Sequence, residues 1–272
     1  RASTGQRIGI TTRLSDGYCR GMSPTTITYI GGPTALLEYA GLRFVTDPTF
    51  DPPQTYAEPG STTLVKTAGP GIPRSELGRV DAVLLSHHSH RDNLDYEGLE
   101  LIATGIPTLS TRDAASDLFG GSVIGFDSWE IHRLGDVTIT AVPALHGPPG
   151  SEPWVGKVTG FVLEAPGEPT VYVSGDNASL ALVEQIANRF PEIDIAVLFA
   201  GAATVPRIPS RLTLSAADAR QAAELLGASR VVGLHTEDWE HFAEDAAQFA
   251  AAFEGSGLLV PTPRGETVTL AG

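Results

Sequence analysis

Residues 80–95 read VDAVLLSHHSHRDNLD. An apolar run, Val83-Leu84-Leu85, stops at Ser86 and opens into His87-His88-Ser89-His90-Arg91-Asp92-Asn93, placing three of the chain's seven histidines in four positions. A buried strand that breaks into such a turn gathers imidazoles and a carboxylate on one short loop, where their lone pairs can converge on a divalent cation at little further entropic cost. The plainer alternative is a polar surface turn, with Asp92 or Asn93 capping the next helix.

Three later segments favour the first reading. His146, Asp176 and His235, like His90 and Asp92, each lie at or just past the C-terminal end of an apolar strand-like run. In layered α/β folds such ends gather at one edge of the sheet, where ligands bind. Alone, an Asp after Ser-Gly or a His before Gly-Pro is an ordinary turn residue. Five candidates from four segments point to a shared site.

The rest of the chain supplies sheets covered by helices. Turns at Gly31-Gly32-Pro33 and Ala40-Gly41 predict strands over 25–30, 34–39 and 42–46, followed by a long Pro/Gly-rich loop from Phe50 to about Pro73 suited to binding. A helix is predicted from Leu94 to Thr104, and strands near Thr108, at 122–124, 129–134, 137–142, 159–164 and 170–174. Helix–strand alternation then runs over 178–189, 194–199, 216–226 and 230–234, with Ser215 and Asp218 at capping-box spacing. A last helix is predicted from His241 to Phe253 and a last strand over 266–270.

Composition narrows the function. The 272 residues, 42% hydrophobic and 18% charged, have ordinary globular composition, and no apolar run is long enough to span a bilayer. A net charge of −14 without a Lys/Arg-rich run argues against a nucleic-acid partner. The single cysteine, Cys19, excludes an internal disulfide framework and a Cys-rich zinc site, and is compatible with a cytoplasmic setting. Residues 1–21 read as an extension or added leader before Met22, the only methionine, with 22–272 as a single domain. A homo-oligomer stays open.

Taken as a set, these residues resemble the metallo-β-lactamase-fold hydrolases over about residues 23–270. The resemblance is nearest to the branch with ascorbate-phosphate lactonase-like and N-acyl-phosphatidylethanolamine phospholipase D-like members. The family's His-x-His-x-Asp-His signature is matched by His88-Ser89-His90-Arg91-Asp92, with Asn93 where the last histidine belongs. Downstream ligands match His146, Asp176 and His235, and a strand-end Thr-Asp-Pro matches Thr46-Asp47-Pro48. The resemblance implies an α/β (α+β) fold, a four-layer αββα sandwich with the site at the shared edge of its two sheets. It implies one metal position on His87 or His88 with His90 and His146, and a second on Asp92 and His235, with Asp176 bridging. Spacing selects His88, whereas a first histidine directly after the strand's Ser selects His87; both are candidates.

Asn93 offers a neutral amide where an imidazole is expected, which predicts one tight and one labile ion. Zinc suits the imidazoles, and manganese or iron also suits the carboxylate-rich position. Hydroxide generated at the metal would attack a small ester or lactone, with Asp92 orienting the nucleophile and taking its proton. Asp47 would accept a hydrogen bond from a ligand imidazole, or simply serve the turn before Pro48. His241 would donate to substrate or to a tetrahedral intermediate, or be an ordinary helix-terminal residue. Trp154 and Trp239 could line an apolar pocket, and His132 reads as structural. The alternatives are a phosphodiesterase of the same fold and a non-catalytic metal- or ligand-binding protein with a degenerate second position.

Overall fold

In the computed structural model, which describes residues 24–57, 62–118 and 122–271, the chain opens as an antiparallel meander of β1 (Thr25–Gly31), β2 (Thr34–Tyr39) and β3 (Leu42–Thr46). Residues 1–21 and Cys19 lie outside the described residues. Next, β4 (Gln54–Tyr56) and β5 (Leu64–Lys66) form a small hairpin inside the stretch expected as an irregular loop. Its Tyr56 and Leu64 are buried against Trp239, and this contact orders the segment.

The first sheet is completed by β6 (Ala82–Leu84), β7 (Thr108–Thr111) and β8 (Val123–Phe126), with α1 (Tyr96–Ala103) and α2 (Arg112–Asp117) between them. The second sheet begins with β9 (Ile131–Leu134) and β10 (Val137–Pro143); a short α3 (Glu152–Val155) precedes β11 (Thr159–Glu164) and β12 (Val171–Val173). Then α4 (Leu180–Arg189), β13 (Ile195–Phe199), α5 (Ala216–Leu226), β14 (Arg230–Leu234) and α6 (Ala246–Ala252) alternate. A last strand, β15 (Thr267–Ala271), returns to pair with β1.

The strands form a seven-stranded sheet, β15-β1-β2-β3-β6-β7-β8, and a six-stranded sheet, β14-β13-β12-β11-β10-β9. Period-two alternation sorts their side chains. Ile195, Val197 and Phe199 of β13 meet Leu37, Phe44 and Leu84 between the sheets, while Ala196 and Leu198 face Val183, Ala219 and Ala222 of α4 and α5. On the opposite outer face, Leu36, Val45 and Val83 pack on Leu101 and Ile102 of α1. Three apolar interfaces thus separate four layers, the expected αββα sandwich. Each large side chain fully buried here contributes about 1.5–3 kcal/mol.

Helix ends follow local chemistry. Asp95 and Ser179 accept from backbone N–H groups at the starts of α1 and α4, and Ser215 and Asp218 form the expected capping box of α5. The last helix departs from expectation. It starts at Ala246 behind an Asp245–Gln248 capping box rather than at His241, because Ala243 and Glu244 donate their N–H groups to the Gly201 carbonyl and hold that stretch as a loop. No helix among the described residues is long and apolar enough to cross a membrane.

Strand direction sets where the site lies. β3, β6 and β7 run parallel, and so do β12, β13 and β14, with β10 in the same sense two antiparallel steps away. Their C-terminal ends meet along one edge of the sandwich. There the sheets are stitched together: His235 N donates to Gly32 O (2.7 Å) and Thr159 N to Ser86 O (3.0 Å). Gly175 is needed at this seam, since its φ is +56° and a Cβ would lie 2.7 Å from both Ser86 Cβ and the Thr159 carbonyl oxygen.

Candidate metal centre

Two groups of ligand atoms face each other at this edge. The first is His87, His90 and His146; the second is Asp92, Asp176 and His235, and within each group the atoms lie within 4.8 Å of one another.

In the first group, His87 Nε2 is 3.0 Å and His146 Nε2 is 3.2 Å from His90 Nδ1. Around a tetrahedral zinc with bonds near 2.05 Å, ligand nitrogens are about 3.3 Å apart, so the spacing is that of a coordination shell. Two outward nitrogens are fixed by protein groups. His146 Nδ1–H donates to the Leu212 carbonyl at 2.8 Å, and His87 Nδ1 is 3.0 Å from Ser86 Oγ. Each bond settles the tautomer and turns the Nε2 lone pair inward. Burial lowers the affinity of His87 for protons, and His90 adds to the effect; burial and then His146 bring His90 down to about 4. His87 and His90 are therefore neutral at pH 7.

His88 does not join this group. Its Nε2 pairs with Asp117 Oδ2 at 3.0 Å, on the far side of the turn. Of the two candidates, His87 is the one that stands with His90 and His146: the strand delivers Ser86 and then His87 into the seam, and His88 points away from it. His90, three residues on, opens the next turn, in which Asn93 and Leu94 both donate to its carbonyl.

The second group has the opposite electrostatics. His235 Nε2 is 3.4 Å from Asp92 Oδ2 and 3.5 Å from Asp176 Oδ1, all three side chains being buried. Burial opposes protonation of His235, but the Asp176 and Asp92 carboxylates outweigh it and hold the imidazole at about 10. Burial pushes Asp92 upward, yet His241 and His235 hold it well below the usual carboxylate range; Asp176 is held down chiefly by His235 against the same burial. Asp176 faces both groups, its Oδ2 being 3.8 Å from His146 Nε2.

Polar atoms left over mark what this cluster can hold. Asp92 Oδ1, Asp176 Oδ2 and both ring nitrogens of His235 are buried without a hydrogen-bond partner among the described residues. Buried polar groups without partners cost about 1–3 kcal/mol each, more for charged ones. A divalent cation would satisfy lone pairs of this kind, and the His/Asp donor set suits one. Asn93 belongs to the second group's wall, its amide donating to Asp176 Oδ1 at 3.1 Å. His235 itself takes φ +58°, an uncommon conformation for a side-chain-bearing residue. Phe199 and Phe242, with ring centroids 5.5 and 4.6 Å away, hold it there.

The outer residues fall into place around these groups. Asp47 does not contact a cluster imidazole directly. Its Oδ1 accepts from Ser86 N and Ser86 Oγ, both at 2.8 Å, and that hydroxyl contacts His87. The sequence pattern marks Ser86 only as a strand end; its place between an Asp and a His became visible when two strand ends met. His241, on the loop before α6, puts Nε2 3.0 Å from Asp92 Oδ2. Trp239 is buried against Tyr56, whereas Trp154 is 58% exposed. His132 lies on β9 with its ring against Phe126, apart from the centre.

A cavity of about 340 Å³ opens directly onto His90, Asp92, His146 and His241. Its opposite wall is apolar, with Leu64, Val155, Ile208 and Leu212 among the lining, and Trp154 and Arg207 stand beside it. Arg207 is a site-facing residue that the sequence reading missed, since a lone arginine between two prolines carries no motif.

Residues 42–236 match the family model of the beta-lactamase superfamily domain. A UPF0173 metal-dependent hydrolase of Exiguobacterium sp. (strain ATCC BAA-1283 / AT1b) is 30% identical over 243 residues, covering 86% of this chain and 96% of that protein. One of Pyrococcus furiosus is 26% identical over 195 residues, covering 70% and 82%. Among solved structures, a possible metal-dependent hydrolase from Veillonella parvula DSM 2008 superposes with a TM-score of 0.78 at 21% identity, covering 91% of this chain and all of that one. An isothiocyanate hydrolase from Delia radicum gut bacteria gives 0.77 at 21% identity, covering 90% and 99%. Sequence and fold agree: the chain belongs to the beta-lactamase superfamily, among the metal-dependent hydrolases of the UPF0173 family.

Proposed function

We propose that this hydrolase cleaves a small ester or lactone at a centre held by His87, His90 and His146 on one side and by Asp92, Asp176 and His235 on the other. The observation that carries the reading is the convergence of three imidazole nitrogens beside a carboxylate pair, on a cavity large enough for a small molecule. Zinc is the ion the imidazole trio suits best, with manganese or iron(II) also compatible with the carboxylate side. When bound, such an ion supplies Lewis acidity, bringing the pKa of water from about 15.7 to about 7 and polarising the oxygen under attack.

The chain's own residues do the rest. Asp92 lines the cavity with a carboxylate held ionised, so it can orient a water molecule and take its proton. His241, already 3.0 Å from Asp92 Oδ2, steadies that carboxylate and can turn its ring N–H toward the oxygen that gains charge at the attacked carbon. The proton returns to the departing alkoxide as the acyl–oxygen bond breaks. The apolar wall excludes bulk water and packs the organic part of the substrate. Asn93 supports unequal ions: a neutral amide stands at the second group, which we read as the labile position and the trio as the tight one. The single cysteine supports a cytoplasmic setting.

The test is turnover by zinc-, manganese- and iron(II)-loaded protein on a panel of lactones, aryl esters, bis(p-nitrophenyl) phosphate and an isothiocyanate, with metal content measured in parallel. The isothiocyanate is included because a neighbour in fold is named for that activity. Lactone or ester hydrolysis that disappears in Asp92→Asn is the expected result. Folded, metal-loaded protein that turns over none of the panel would leave a binding protein instead.

A further inference from the structure

Arg207 is the arginine among the described residues that makes no hydrogen bond, ion pair or ring contact. In a chain with 32 acidic and 18 basic residues, an unpaired guanidinium stands out. Its position is specific as well. It lines the cavity over the metal centre, and also an adjoining groove of about 330 Å³ walled by prolines. Trp154 and Ile208 are shared by the same two cavities, so the three residues form the passage between them. Trp154 leaves 58% of its surface in solvent at this point, an unusual exposure for so large an apolar side chain.

We infer that Arg207 and Trp154 form a recognition subsite, and that the substrate of this centre carries one carboxylate next to an apolar body. This rests on the hydrolase reading above. The remaining ionisable groups lining the main cavity, His90, Asp92, His146 and His241, belong to the metal centre or contact it, so Arg207 is the permanent positive charge left for the substrate. A guanidinium is always charged and offers a planar fork that a carboxylate fits with two parallel hydrogen bonds. A dianionic phosphate would meet one exposed counter-charge, no lysine in the lining, and the field of a −14 chain. The indole of Trp154, which lines both cavities with Arg207, provides an apolar surface for the neighbouring carbon skeleton. The ester or lactone bond then points inward to Asp92 while the carboxylate stays at the rim.

The experiment compares mono-(4-nitrophenyl) glutarate with 4-nitrophenyl valerate, esters of similar size that differ in the terminal carboxylate, on metal-loaded wild type, Arg207→Gln and Arg207→Glu. Wild type should prefer the glutarate ester by about tenfold in kcat/KM, mainly through KM, the lower end for an exposed charge-assisted pair. The preference should shrink from about 0.05 to about 0.5 M salt. It should collapse toward unity in R207Q and invert in R207E. A second arm reads binding alone, by titrating 4-phenylbutyrate and 4-phenylbutyramide against tryptophan fluorescence of the same metal-loaded proteins. R207Q should weaken the acid about tenfold relative to the amide. Equal use of both esters by wild type, or a preference that survives in R207Q, would overturn the subsite while leaving the hydrolase intact. If neither ester is turned over, the ester part of that reading fails on its own, and the binding arm decides the subsite: equal affinity of wild type and R207Q for 4-phenylbutyrate would overturn it.

Discussion

Asp47 reaches His87 through one hydroxyl: Ser86 Oγ is 2.8 Å from Asp47 Oδ1 and 3.0 Å from His87 Nδ1. The order of donors along this chain is forced. The carboxylate accepts from Ser86 N–H and from the hydroxyl, so the hydroxyl must in turn accept from His87 Nδ1–H. His87 is left with its Nε2 lone pair aimed at His90 and His146. Three residues on the ends of β3 and β6 thereby fix one tautomer.

Removing the hydroxyl tests that relay. Ser86→Ala keeps the volume of a small buried residue but leaves the His87 tautomer unspecified, and the tight ion should be held about 10- to 100-fold more weakly. Competition with a fluorescent chelator measures the loss, and an unchanged circular dichroism spectrum shows the fold to be intact. Affinity in S86A equal to wild type would mean that the hydroxyl merely fills space.

Much of this centre could be read from the sequence because its ligands announce themselves as strand ends: apolar runs stopping at Ser86, Pro143, Gly175 and Leu234 are local signals. The choice between His87 and His88 was not local. It depends on which imidazole enters the seam between two sheets, a relation between residues far apart in the chain. The start of α6 was misplaced for a similar reason, since Gly201 captures the N–H groups of Ala243 and Glu244 from a distant strand end. The β4–β5 hairpin escaped notice because three-residue strands carry too little alternation to register, and its stability comes from Trp239.

Asn93 gives a second prediction. Asn93→His places an imidazole beside Asp176 and Asp92, where a neutral amide now donates at 3.1 Å. Affinity for the second ion should rise at least tenfold, since imidazole is much the better donor to a divalent cation. Metal analysis after dialysis should move from near one ion per chain toward two. Two firmly held ions in the unmodified protein would remove the basis for this expectation.

The electrostatic contrast between the groups predicts unequal pH dependence. Burial and neighbouring imidazoles keep His87 and His90 free of protons near neutrality, so an ion at the trio displaces none from either, and its affinity should vary less from pH 6 to 8 than affinity at the second group. His235, at about 10, holds its proton through that range, and an ion at the second group must expel it. Affinity there should therefore climb with pH, by up to about tenfold per unit, less whatever an ion already at the trio subtracts by repelling that proton. Calorimetry in buffers of different ionisation enthalpy would count about one proton released from His235 with the second ion and fewer with the first. Equal proton release in both phases would contradict the assignment of charge.

A stability prediction comes from outside the centre. Lys66 on β5 donates to Asp95 Oδ2 at 3.0 Å with both side chains buried, and Asp95 also accepts from Asp51 N at 2.6 Å and caps α1 through Gly98 N at 2.9 Å. Burial pushes Asp95 upward, and Lys66 is the largest influence opposing that rise. Lys66→Met removes the cation and leaves a buried carboxylate unpaired, which should destabilise the fold by about 3–5 kcal/mol at pH 7. Without the lysine the Asp95 carboxyl rises further and protonates more readily. Since the folded state then holds that proton more tightly than the unfolded chain, the stability it contributes is fully present below the unfolded carboxylate value and is lost as pH rises through the folded one. The deficit of K66M should accordingly narrow on acidification. Urea unfolding of wild type and K66M at pH 7 and pH 5 reads both effects, and a deficit that stays constant between them would show that the lost contact of the ammonium with the Trp239 ring, rather than the orphaned charge, sets the cost.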